Sequence, residues 1–335
     1  MTEIKKYKVT DGIIIYFASL LAASLLSLVI KSEKNEQFNI YAGYFIMQAC
    51  FFAAVLIFSR LKKTDLFYNI PIRSKISGYE IITAVILSFC LFAFTLLPVL
   101  AYARLGQASG MKAVVSLPAL DSPGAAILSL AILCAMPAVC EELLVRGVFL
   151  QGMQSYGGVK ALLFSSAVFA LMHLNLMQLI HQFTVGLALG YIVLRTQKPV
   201  LAMVIHFVNN VIALFLPLAL PFELTLSGAS LVYFIPMMLA GAFLGLCAVR
   251  VLVKSSFLPE GKGIKAYLIL WKQSAQRAAK GLRSLFKPLG AENLKGDFVA
   301  SLPKESSSPL VKAERAIVWA FLIFLALMGA VNTFA

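Results

Sequence analysis

Long apolar runs separated by short polar stretches follow one another along the chain. Nine are read as spans: Gly12–Ile30, Ile40–Phe58, Glu80–Leu100, Gly124–Leu150, Val159–Asn175, Gln178–Leu194, Val200–Leu218, Gly228–Val249 and Ala316–Val331. Most approach the ~20 residues that an α-helix needs to cross a bilayer core, so the pattern predicts an all-α, polytopic transmembrane bundle. The fourth run would measure about 40 Å if wholly helical, and must tilt, kink or extend past the lipid. Pro137 is the natural place for a kink. The fifth and ninth runs are short, and their ends are loosely set. The first is longer than the apolar stretch of a signal peptide and reads as an uncleaved anchor.

Charge orients this map. With the N-terminus cytoplasmic, 24 of the 29 Lys and Arg residues fall in inner segments, and only Lys31, Lys34, Arg104 and Lys112 fall outside. Arg146 is left within a span. That bias follows the positive-inside rule and predicts N-in, C-out topology with the tail Asn332–Ala335 outside. Composition agrees: 60% of residues are apolar and 13% charged, where a soluble domain has about a quarter charged. The net charge of +14 is concentrated on one membrane face, which argues against nucleic acid as its partner. The five cysteines, at 50, 90, 134, 140 and 247, lie in apolar stretches without CxxC spacing. They suggest neither a disulfide framework nor a zinc site.

One long hydrophilic stretch, 254–315, interrupts the series. Within it Ile264, Tyr267, Leu268, Trp271, Ala275, Ala278, Leu282, Leu285 and Phe286 recur at helical spacing, with Lys265, Lys272, Arg277, Lys280, Arg283 and Lys287 between them. A basic amphipathic helix on the inner leaflet is expected, with anionic lipids as partners over 262–287. Membrane anchoring alone would account for it; recruitment of substrate is the alternative. Residues 292–308 read as a polar linker.

Apart from Glu80 at a boundary, Glu141 and Glu142 are the only carboxylates inside any of these spans. A charge at the bilayer centre costs at least about 2.5–3.5 kcal/mol, so such groups are protonated, paired or face a wet cavity. Arg146 lies four residues after Glu142, on the same helical face, and is placed to pair with it. Glu141 points about 100° away and is the less neutralised of the two, as suits a general base. All three histidines, His173, His181 and His206, also fall in apolar runs. His173 follows Phe169 by four residues, and His206 precedes Asn210 by four. Helical rise puts Glu141 and His173 about 20 Å from the cytoplasmic ends and His206 about 10 Å in, which permits convergence in a cavity open to the cytosol. A Glu-Glu-Arg cluster can also pin helices, and a lone histidine often bridges them; three such clusters in one bundle are harder to assign to packing. His181, with Gln178 and Gln182, is expected to bond between helices.

A carboxylate can take a proton from water, a histidine can orient that water, and a His/Asn pair can donate to an oxyanion. Peptide-bond hydrolysis inside the membrane uses this set. The chain has no HExxH, no pair of intramembrane aspartates and no convincing serine nucleophile motif.

Glu141-Glu142-Leu143-Leu144-Val145-Arg146, Phe169-Ala170-Leu171-Met172-His173 and His206-Phe207-Val208-Asn209-Asn210 resemble, in order, the EExxxR, FxxxH and HxxxN motifs of the CAAX protease and bacteriocin-processing (CPBP, or Abi) family. The resemblance covers about 100 residues, from near Asp121 to near Leu218. It implies an intramembrane glutamate-dependent endopeptidase with a site reachable from the cytosol. Glu141 would activate water with help from His173; Glu142 and Arg146 would organise the site; His206 and Asn210 would form the oxyanion hole. The expected substrate is a membrane-embedded or lipidated peptide or protein, and the expected location a bacterial cytoplasmic membrane. No cofactor is expected; if the reaction uses a divalent metal such as zinc, Glu141, His173 and His206 are its ligands. A non-catalytic scaffold of the same fold and a proton-coupled transporter are the competing readings. The chain divides into N-terminal helices (1–120), a catalytic core (121–253), the basic segment (254–315) and a last helix (316–335).

Overall fold

The structure, a computed structural model, describes residues 6–33, 35–64, 74–112, 117–219, 230–259, 263–285 and 312–334. The described residues are helical, with no strand. Their helices are α1 (Val9–Ile30), α2 (Glu36–Lys62), α3 (Gly78–Ala108), α4 (Pro123–Gln154), α5 (Gly158–Leu171), α6 (Leu179–Thr196), α7 (Pro199–Ala219), α8 (Leu231–Ser255), α9 (Ile264–Leu285) and α10 (Lys312–Phe334). Eight of them are long and apolar enough to cross a membrane. The protein is a multi-pass membrane protein. Its lipid-facing surfaces are correspondingly apolar: Leu28 and Val29 of α1 are 78% and 84% exposed.

The fifth expected span differs. Its helix has 14 residues and stops at Leu171, about 21 Å of rise. Leu174 takes a left-handed backbone, φ 50°, which an L-residue with a branched side chain adopts only where a helix has ended. His173 therefore sits in the turn after α5, not on its face. Asn175 then accepts from the Met177 N–H and opens the 3₁₀ turn Leu176–Gln178, which leads into α6.

Inter-helix bonds sort the helix ends into two rims. At one rim Lys62 pairs with Asp11, Lys198 bonds both Glu80 oxygens at 2.8 and 3.0 Å, and Ser255 donates to Glu80 at 3.0 Å. Tyr156 donates to Glu314 there, and Tyr267 of α9 bonds Ser77. At the other rim the Lys112 N–H donates to the Thr333 carbonyl, the Leu176 N–H to the Thr333 hydroxyl, and the Ala119 N–H to Gln37. Successive helices alternate between the rims, α5 included, so its short helix and following turn together make a crossing. α9 remains at the first rim, where Tyr267 stacks at 4.9 Å on Tyr79 while Leu268 and Ile269 stay exposed.

The fourth helix changes its hydrogen-bonding register along its length. π-helical stretches at Leu130–Ala135 and Leu143–Leu150 flank an α-helical segment, Met136–Glu142, that begins around Pro137. The first change of register adjoins Pro137, which has no N–H to donate. The packing around α4 is tight. Every residue of Leu143–Leu150 is buried, and Phe149 stacks 5.7 Å from Phe321 of α10. Tyr16 of α1 meets Phe51 of α2 and Phe321.

Candidate active site

Glu141 and Glu142 end the α-helical segment of α4, and neighbouring positions on a helix face different ways. Glu142 turns into the protein, where its Oε1 accepts from Arg146 Nη1 at 2.6 Å and from His206 Nδ1 at 3.0 Å. Arg146 is fully buried; its Nη2 donates to the Gly186 carbonyl at 3.1 Å, and its guanidinium lies 4.5 Å from the centre of the Phe169 ring. A desolvated guanidinium needs just such neighbours: a carboxylate, a carbonyl and an aromatic face. One helix turn thus ties α4 to α5, α6 and α7.

Glu141 faces the other way. Its Oε1 accepts from Gln48 Nε2 of α2 at 2.8 Å. Its Oε2 is buried and has no protein hydrogen-bond partner among the described residues. That oxygen lies 4.0 Å from His173 Nε2 and 3.9 Å from His206 Nε2. His173 Nδ1 contacts the Phe169 carbonyl at 2.7 Å. A carbonyl only accepts, so the Nδ1 proton is fixed there and the Nε2 of the neutral ring keeps its lone pair toward Glu141. His206 is oriented in the same manner by the Glu142 carboxylate. The Phe169 ring stands edge-on to both imidazoles, at 5.1 and 5.3 Å. A carboxylate oxygen and two imidazole nitrogens therefore converge on one point, at separations that a shared water spans.

A cavity of about 600 Å³ opens onto this point. Glu141 and His173 line its inner end, with Tyr16 and Phe51; Glu36, Asn175 and Asn332 line its mouth. The mouth is at the second rim, away from the lysine-rich loops. Glu142, Arg146 and His206 lie behind Glu141 and do not line it.

Asn210 lies one turn beyond His206 on α7, half-buried, and its amide joins no hydrogen bond among the described residues. Asn209, its neighbour, is the bonded one. Asn209 Nδ2 donates to His181 Nε2 at 3.0 Å, and His181 Nδ1 meets Thr95 Oγ1 at 2.9 Å. His181 thus bridges α6 to α3 and α7, the interhelical role expected of it.

For a metal, the three possible ligands are differently spaced from what an ion requires. Bonds of 2.0–2.1 Å in a tetrahedral zinc site put ligand atoms about 3.4 Å apart, against 3.9 and 4.0 Å here. Among the described residues no group of three His, Cys, Asp or Glu is arranged to hold a metal.

Gln48, the Phe169 carbonyl and the Gly186 carbonyl were absent from the sequence-derived site. A backbone carbonyl leaves no signal in side-chain identity. Gln48 did leave one, an uncharged amide within the second apolar run, but a single amide in a span has too many ordinary explanations to stand out. The resemblance seen in three motifs is matched by family comparison: residues 123–212 match a family described as Rce1-like, type II CAAX prenyl endopeptidase. The match runs from the first residue of α4 into α7 and contains Glu141, Glu142, Arg146, His173, His206 and Asn210. No curated protein and no solved structure matches the chain.

Proposed function

We propose that the chain, whose residues 123–212 match the Rce1-like CAAX prenyl endopeptidase family, is an intramembrane endopeptidase in which Glu141 is the general base. The observation that carries this reading is the approach of His173 Nε2 and His206 Nε2 to 4.0 and 3.9 Å from Glu141 Oε2, with Glu141 and His173 lining the cavity. A water held there gives a proton to Glu141 and its oxygen attacks the scissile carbonyl carbon. Gln48 holds the carboxylate through Oε1 and leaves Oε2 to take the proton. The tetrahedral oxyanion is met by Asn210, and by His206 when its Nε2 carries a proton, with Glu142 accepting at Nδ1. As the C–N bond breaks, Glu141 returns the proton to the leaving amine, so atoms and charges balance. Arg146 keeps Glu142 in place and does not touch substrate. The reaction so written has no metal in any step.

Leu20, Ile40 and Met47 on the cavity wall suit an apolar peptide, so the substrate class proposed is a membrane-embedded or lipid-modified peptide or protein. Peptide processing and bacteriocin self-immunity are the roles that the family resemblance suggests. The short loops and lysine-rich face fit a bacterial cytoplasmic membrane, with anionic lipids under α9. Glu141→Gln and His173→Ala each lower peptide cleavage by about 10²–10⁴-fold, read with purified protein on a fluorogenic peptide library. Wild-type cleavage in both variants would sink the proposal. Cleavage that survives a strong chelator, in protein free of metal by elemental analysis, supports the metal-free route.

A further inference from the structure

α1 carries a tyrosine whose ring neighbours are phenylalanines. Tyr16 stacks at 5.9 Å on Phe51 of α2 and meets Phe17 and Phe321 edge-on at 6.0 and 5.5 Å. A phenylalanine would make the same ring contacts without burying a hydroxyl, which is unfavourable when nothing bonds it. Tyr16 has no exposure, and its hydroxyl has no hydrogen-bond partner among the described residues. It lines the inner end of the cavity with Glu141 and His173, within electrostatic reach of the Glu141 carboxylate. Tyr16 also lies outside the stretch matched to the family.

A second polar atom there is in the same condition. Gln48 gives its Nε2 to Glu141, while its Oε1 is buried without a partner among the described residues. A carboxylate only accepts, so the amide nitrogen faces Glu141 and the amide oxygen is the free end. Gln48 lines the same cavity. It precedes Phe51, on which Tyr16 stacks, by three residues and so shares its face of α2. A hydroxyl able to donate and an amide oxygen able to accept thus adjoin the proposed general base.

We propose that Tyr16 Oη and Gln48 Oε1 form a main-chain clamp: the hydroxyl donates to a backbone carbonyl of the bound peptide, and the amide oxygen accepts from the N–H of the same residue. This deepens the peptidase reading and rests on it for the bond-breaking chemistry. In an extended chain the N–H and C=O of one residue point to the same side, as where two antiparallel strands exchange a pair of bonds. One donor and one acceptor therefore suffice. Such a clamp reads no side chain; it holds the peptide extended and sets the register of its scissile carbonyl against Glu141, leaving the choice of side chains to the apolar wall.

Peptide binding to the full-length protein in nanodiscs tests this. The probe is a fluorescein-labelled ten-residue peptide of leucine and alanine, its binding to Glu141→Gln corrected for empty nanodiscs. Adding Tyr16→Phe, which keeps the ring and removes only the hydroxyl, should weaken binding about 3–10-fold. The unfolding temperature should not fall, since no protein bond is lost. A backbone thioamide, a poorer acceptor than an amide, is then moved along the probe. At one position it should weaken binding to Glu141→Gln by a similar factor and have no further effect once Tyr16→Phe is added, because the two changes remove the same bond. N-methylation of that residue should weaken binding as well, by removing the donor to Gln48. Equal binding with and without Tyr16→Phe overturns the proposal, as do thioamide penalties that persist in that variant, or no binding above empty nanodiscs. If Tyr16→Phe does not fold, the two scans decide, and the absence of a position sensitive to both overturns it. If binding is as expected and the wild type cuts no peptide, the peptidase reading fails while the clamp stands. Cleavage by the wild type with undiminished binding in Tyr16→Phe removes the clamp alone.

Discussion

At the scale of single residues, the site works by dividing two adjacent carboxylates between different neighbours. Glu142 is held by Arg146 and His206, and Glu141, among the described residues, takes its hydrogen bond from Gln48. A hydrogen bond to a charged group contributes about 1.5–3 kcal/mol, so Gln48→Leu should slow cleavage about 10–100-fold. Because leucine is close in size, the unfolding temperature in detergent should stay near that of the wild type; a large drop would make Gln48 a packing residue instead. Arg146→Leu should behave oppositely. It strands a buried carboxylate, costing about 3–5 kcal/mol of stability, and adding Glu142→Gln should recover much of it. Recovery of monodisperse protein by size-exclusion chromatography reads both effects. The division was legible beforehand from i to i+4 spacing, since Glu142 and Arg146 share a face whatever surrounds them. Gln48 was not, because nothing in its own stretch of sequence tells which helix it meets.

Among the elements, the apolar runs were legible because lipid demands a continuous hydrophobic surface, and a span needs no partner to declare itself. Where each helix stops was less so. The end of α5 at Leu171 depends on the turn at Leu174, and the π-helical stretches of α4 depend on its neighbours' packing. Close crossings add a prediction at this scale. A Cβ at Gly241 of α8 would sit 2.7 Å from the Cys90 carbonyl oxygen and 2.8 Å from the Phe94 nitrogen of α3, both backbone atoms that cannot swing aside. Gly241→Ala should therefore destabilise by about 1–3 kcal/mol through overpacking. Gly43→Ala, with open space around its Cβ, should be neutral or raise stability by up to about 1 kcal/mol through helix propensity. Thermal unfolding of the two variants side by side separates them. Should both unfold together with the wild type, the α3–α8 contact is looser than described.

For the molecule as a whole, the basic helix α9 sits at the first rim, against Ser77 and Tyr79, with Ile264, Leu268 and Ile269 exposed between its cations. Lys265, Lys272, Arg277 and Lys280 each should gain about 1 kcal/mol near an anionic surface. Replacing all four by Gln should reduce the extra thermal stability that nanodiscs of phosphatidylglycerol give over phosphatidylcholine; an undiminished difference would leave α9 with no lipid preference. The cavity has one more implication. The stretch that supplies Glu141 and His173 is continuous in sequence, yet much of the opposing wall is built by Tyr16, Gly43, Met47 and Asn332 from α1, α2 and α10, outside the matched stretch. On the proposed reading, most of the reacting groups lie within the matched stretch, Gln48 excepted, while much of the wall that would choose the peptide lies outside it. Exchanging the outer helices between relatives, with Gln48 kept, should make chimaeras that cut with the same machinery but choose different peptides.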